Sequence, residues 1–103
     1  MTFAVFRSEP FQEKLRSFPN EFQKWVEKIE GQLAENPYAG DPIKADWFRE
    51  KKRGKYRVYY VIYSKVKAVY MVAISEKKDQ QKTINTITLV LDELGNEVKN
   101  LVK

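Results

Sequence analysis

Apolar positions change period twice along this chain. "TFAVFRS" alternates loosely and predicts a short first strand over Phe3–Arg7. Ser8 then stands as an N-cap, with Pro10 in the first turn, where a missing N–H costs nothing. Phe11, Leu15 and Phe18 repeat at i, i+4 and i+7, the stripe of a short amphipathic helix. "FPN" breaks it. Asn20 is expected to cap a longer helix that carries Phe22, Trp25, Val26, Ile29 and Leu33 on one side, and "ENP" at 35–37 stops it. Two helices joined so closely form an antiparallel hairpin.

"PYAGDPIKAD" reads as a turn-rich connector, and beyond it the period falls to two. Strands are expected at about Trp47–Lys52, Tyr56–Tyr63 and Ala68–Ile74, with Gly54 at the centre of the "RGK" turn. Trp25 and Trp47 are assigned to the core. "AVYMVAI" is apolar enough for a strand covered on both faces. In the tail, Ile84, Ile87, Leu91, Leu94, Val98 and Leu101 follow steps of 3, 4, 3, 4 and 3. "TITLVL" also alternates, but the longer stripe predicts a helix within Asp79–Lys103, kinked or ended at Gly95. The order β-α-α-β-β-β-α gives an α+β fold: a small antiparallel meander with the helical hairpin on one face and a C-terminal helix. The other face is left partly open, as a shallow concave surface. Residues 1–82 form the compact domain and 83–103 an amphipathic helical extension.

Composition narrows the chemistry. The 103 residues suffice for one domain, and 43% hydrophobic with 32% charged residues is an ordinary soluble balance. No apolar run reaches the roughly 18 residues of a membrane helix, and "MTFAVFRSEP" has no signal-peptide pattern. The absence of cysteine fits a reducing cytoplasm. The absence of histidine excludes Ser-His-Asp and Cys-His nucleophilic chemistry. With neither residue, no metal site or cofactor is expected. Charge is concentrated: residues 44–57 hold seven basic and two acidic side chains, +5, equal to the net charge of the whole chain. Such a patch attracts polyanions or an acidic protein.

The order β-α-α-β-β-β resembles the RelE/ParE toxin superfamily. So do "KLRSFPNEFQKWVEKIEGQLAENP" as its helical hairpin, "PYAGDPIKADWF" as its connector, "KRGKYRVYYVIY" as its glycine turn leading to Tyr-Arg-Val, and "VAISEKKDQQ" as its basic segment after the last strand. The resemblance covers about residues 1–82. It implies a toxin of a type II toxin–antitoxin system: a cytoplasmic, ribosome-dependent mRNA endoribonuclease neutralised by a cognate antitoxin. The ParE-type alternative is a non-catalytic inhibitor of a protein such as DNA gyrase. A third reading is a lapsed toxin that only binds RNA or an antitoxin. By resemblance Arg57 is the strand arginine, Lys52 the cation five residues before it, and Lys77 and Lys78 the basic pair. Gln80 and Gln81 stand where RelE-type nucleases often carry Tyr or His.

The chemistry suits those residue types. Attack of a ribose 2′-OH on the adjacent phosphate builds negative charge on a phosphorane, which Arg57 stabilises with a bidentate fork. Lys52 is the candidate base or a second phosphate clamp, and Lys77 or Lys78 would neutralise the leaving 5′-oxygen. Arg49, Lys51, Arg53 and Lys55 are the candidate RNA-binding cations. Tyr59 and Tyr63, on Arg57's face of the strand, are the candidate base-stacking rings. Glu50 is expected to pair with a neighbouring cation. The Ile/Leu stripe of the tail either packs on its own domain or binds a partner, an antitoxin or a second copy.

Overall fold

The computed structural model describes residues 2–103. Its elements are β1 (Ala4–Arg7), α1 (Glu9–Arg16), α2 (Asn20–Glu35), β2 (Asp41–Ala45), β3 (Phe48–Arg53), β4 (Tyr56–Tyr63), β5 (Ala68–Glu76), α3 (Gln80–Leu89) and α4 (Leu91–Leu101). Ser8 caps α1, accepting the Phe11 N–H at 3.2 Å, with Pro10 in the first turn. Asn20 does not cap α2: the extended Pro19 precedes the helix and Asn20 is its first residue.

The sheet is mixed, in the order β1-β5-β4-β3-β2. β3 to β5 form the expected antiparallel meander, β2 extends it, and β1 joins it in parallel beside β5, Ala4 opposite Ala68 through Arg7 opposite Met71. The connector contains a strand that period alone did not reveal. β2 tolerates Pro42 because it lies at the sheet edge, where a missing N–H breaks no ladder on its outer side. Gly54 turns β3 into β4 at φ +56°, a conformation that favours glycine. A bulge leaves Val72 unpaired between Tyr59 opposite Ala73 and Tyr60 opposite Met71.

Alternation sends each strand's residues to two separate cores. One face of the sheet packs Val58, Tyr60, Ile62, Val69 and Met71 against Phe11 and Leu15 of α1 and Phe22, Val26, Ile29 and Leu33 of α2. Trp25 packs at the margin of this core. The other face is covered, not open. Phe48, Tyr59, Val61, Tyr70 and Val72 meet Ile84 and Ile87 of α3 and Leu94 and Val98 of α4. The tail stripe thus serves its own sheet. The break falls at Val90, whose ψ of 17° departs from helix, and Gly95 lies within α4 without ending it. Trp47 is 44% exposed, stacked on Phe48 beside the β2–β3 turn rather than buried. No helix among the described residues is long and apolar enough to cross a membrane.

Candidate functional site at the end of the sheet

Register sorts the basic segment. Lys52 lies opposite Arg57, and Arg57 opposite Ser75, so these three form one row across β3, β4 and β5. The next row is Glu50, Tyr59 and Ala73. Both rows are on the face that carries the tail helices, since Tyr59 belongs to the core beneath α3 and α4. Beyond Ser75, β5 ends in the turn Lys77–Asp79, which places Lys77 and Lys78 at the same end of the sheet. The four candidate catalytic residues are thereby gathered at one end, from strands and a turn distant in sequence.

Arg57 is only 7% exposed. Its Nη1 donates to the carbonyls of Gly54 at 2.9 Å and Tyr56 at 3.0 Å, which fixes the guanidinium against the hairpin turn. Its Nε is buried and has no partner among the described residues. A buried, unsatisfied charged donor is costly, and an acceptor oxygen, of water or of an anion, is what would satisfy it. Lys52 is exposed, with Nζ 3.7 Å from the Asp41 carboxylate. Lys77 and Lys78 are exposed, and the Lys77 N–H donates to the Lys55 carbonyl at 2.6 Å. Glu50 does not pair with a cation. It is buried, and its carboxylate accepts both bonds, at 2.9 and 3.2 Å, from the Gln80 amide at the start of α3. Lys44, Lys77, Lys78, Gln80 and Gln81 surround Glu50 in a shallow basin of about 460 Å³.

The remaining candidates disperse. Lys51 and Arg53 have the opposite parity to Lys52, and Arg53 lies over the Trp25 ring at 5.5 Å, on the α2 face. Lys55 sits in the hairpin turn, 3.7 Å from Glu76 and over the Tyr56 ring. Arg49 is not a free cation. Its guanidinium is buried and donates to the carbonyls of Gly40, Asp46 and Tyr38, holding the connector against β3. Tyr59 offers no ring face to a base: it is fully buried, its hydroxyl bonded to Ser75 at 2.8 Å, and burial raises its pKa. Tyr63 is half-buried beneath α4, with Gly95 against its ring. Burial and then Glu97 push the Tyr63 phenol up to about 12.

Ser75 and Lys44 were not among the sequence candidates, and Gln80 was noted there without its tie to Glu50. Continuing β5 to Glu76 and following its parity past the bulge would have found Ser75. The Gln80–Glu50 contact spans 30 residues and carries no local signal.

No family profile and no curated protein matches the sequence. Solved structures do. A mutant of the E. coli toxin RelE in the free state aligns with a TM-score of 0.74 at 13% identity, covering 87% of this chain and 99% of that one. RelBE2, a toxin–antitoxin complex from Mycobacterium tuberculosis, aligns at 0.65 with 20% identity, covering 74% and 99%. The archaeal RelE–RelB complex from Pyrococcus horikoshii aligns at 0.55 with 18% identity, covering 74% and 96%. At such identities the likeness is one of architecture: this chain has the RelE-like toxin fold.

Proposed function

We propose that the chain is the toxin half of a toxin–antitoxin pair and a metal-independent endoribonuclease acting on ribosome-bound mRNA. The observation that carries this reading is Arg57, a guanidinium held by two backbone carbonyls with an unused buried Nε. A preorganised cation of this kind stabilises charge that develops in the transition state, with no reorganisation at the moment of reaction. In the proposed step the ribose 2′-oxygen bonds to phosphorus as its proton passes to the neutral amine form of Lys52 or to water. The 5′-oxygen then leaves, taking a proton from solvent or from Lys77 or Lys78, and a 2′,3′-cyclic phosphate remains. Arg57 holds the phosphorane. Lys51, Arg53 and Lys55 add attraction for the backbone on either side of the hairpin.

Arg57→Ala is the test. Cleavage of ribosome-bound mRNA is expected to fall by about 10²-fold or more, the usual cost of deleting one such group. Arg57→Lys is expected to restore only part of it, because an ammonium cannot replace a planar fork. Unchanged growth inhibition by a folded Arg57→Ala protein would overturn the reading and leave a protein target, such as gyrase, in its place.

Burial adds a condition. With Arg57 only 7% exposed, phosphate contact requires a local opening at this end of the sheet. Gln80→Ala frees the start of α3 from Glu50 and is expected to raise cleavage several-fold. A fall to the Arg57→Ala level would instead make Gln80 part of the chemistry.

A further inference from the structure

β5 has nine residues, but β1 pairs only with Ala68–Met71. Ser8 ends that pairing. Its N–H donates to the Met71 carbonyl at 2.9 Å and its hydroxyl to the Val72 carbonyl at 3.4 Å, and the chain leaves into α1. From Ile74 to Glu76 no strand lies on the outer side of β5 among the described residues. The ladder's phase follows from the Lys77 N–H to Lys55 carbonyl bond at 2.6 Å. Arg57 opposite Ser75 is then a hydrogen-bonded pair, while Val58 opposite Ile74 and Tyr56 opposite Glu76 are not. The backbone N–H and C=O of Ile74 and the N–H of Glu76 therefore point away from β4, in the pattern that another extended chain reads, while the Glu76 carbonyl accepts the Ser75 hydroxyl at 3.1 Å.

This edge is not defended as β3's is, where Lys51, Lys52 and Arg53 extend past the end of β2. It forms the floor of a cleft of about 870 Å³ between α1 and the tail helices. Val72, Ala73 and Ile74 are its apolar base, and Thr83 and Thr86 line one wall. Its charged lining is Glu76, Asp79, Glu93 and Glu97 against Lys14 and Lys82, two net negative charges on a chain of +5. A polyanion is disfavoured there, and a basic segment is attracted.

We infer that the Ile74–Glu76 edge is a docking site for an extended segment of another polypeptide, one that joins the sheet as a sixth strand with apolar residues on the cleft floor and Lys or Arg at its flanks. The inference needs nothing from the nuclease reading, because it rests on unpaired backbone and acidic walls rather than on Arg57.

The probe is a capped hexapeptide of alternating valine and threonine with a lysine at each end, added to the full chain. Amide exchange at Ile74 and Glu76 is expected to slow by roughly 10-fold or more on saturation. The same peptide flanked by glutamates is expected to bind about 10-fold more weakly. Two variants probe the site. Glu76→Pro removes one outward N–H at a residue whose φ of −83° lies near proline's range. Thr86→Trp fills the cleft from an exposed helix position and keeps the test decisive if Glu76→Pro fails to fold. Each should weaken binding by about 5-fold or more, near the worth of one hydrogen bond. Absence of millimolar binding, equal affinity for the two peptides, or unchanged affinity in Thr86→Trp would overturn the proposal. So would a free chain that dimerises with those two amides already protected, since the occupant would then be a second copy.

Discussion

At Arg57 the chemistry proposed above would rest on a side chain that also holds its own turn. A cation on a crowded strand reads as dispensable for folding, yet this one is buried and bonds two carbonyls of its own turn. Arg57→Ala should therefore lower stability by about 1–3 kcal/mol, tempered by loss of the unsatisfied Nε. Urea unfolding alongside the cleavage assay separates the two effects. Gly40 is constrained by space. A Cβ there would lie 2.6 Å from both the Glu50 carbonyl oxygen and the Tyr60 hydroxyl. Tyr60 also accepts the Gly40 N–H and donates to the Pro37 carbonyl. Gly40→Ala should cost about 1–3 kcal/mol and loosen the connector that Arg49 anchors. A melting temperature unchanged from wild type would show that this corner yields freely. The tyrosines make alkali the destabilising direction. Burial raises the phenols of Tyr59, Tyr60, Tyr63 and Tyr70, with Tyr63 at about 12. Above about pH 10 the unfolded chain loses phenolic protons that the folded one keeps, so the unfolded state binds fewer protons and stability falls as pH rises. That contribution is intact below pH 10 and, for Tyr63, is lost between about 10 and 12. Tyr63→Phe should flatten this part of the stability–pH curve.

At the level of elements, the tail helices decide what the sheet can present. Ile84, Ile87, Leu94 and Val98 are buried on Phe48, Tyr59, Val61 and Tyr70, and Glu97 accepts the Tyr70 hydroxyl. Each such side chain is worth about 1.5–3 kcal/mol on burial. Removing residues 83–103 should therefore abolish cooperative unfolding, where a detachable appendage would leave it intact; calorimetry distinguishes the two. The element types were legible because their cause is local. Phe11 and Leu15, Phe22 to Leu33, and Ile84 to Val98 mark helical faces by spacing alone, and Tyr56–Tyr63 announces a strand. Which face each element covers is not local. The 3-4 stripe of the tail was visible, but not that it would close the concave side, because that depends on the sheet's handedness and on β1 entering beside β5. For the same reason Arg57, Lys52, Lys77 and Lys78 could be named from the sequence, while Glu50, Gln80 and Ser75 could not be placed beside them. Pro42 hid β2, since proline argues against a strand unless that strand is known to be an edge.

Taken as a whole, the molecule keeps two electrostatic characters apart. Lys44, Lys52, Lys77 and Lys78 mark the basic end of the sheet, while the cleft beside β5 is lined by four carboxylates and two lysines. If the basic end holds RNA, a plot of log K against log salt should fall with a slope of about −0.7 per phosphate contacted, roughly −2 to −4 in total. A slope near zero would remove nucleic acid from the account. The parallel pairing of β1 with β5 has a consequence for how the protein is born. Ala4 meets Ala68 across 64 positions of sequence, so β1 waits for β5 before it can find its place. At about 5–20 residues per second of synthesis, roughly 3–13 s pass before a partner for that strand exists. The row that carries Arg57 and Ser75 is completed only after that interval, since Ser75 follows Ala68, and the helices that cover it come later still.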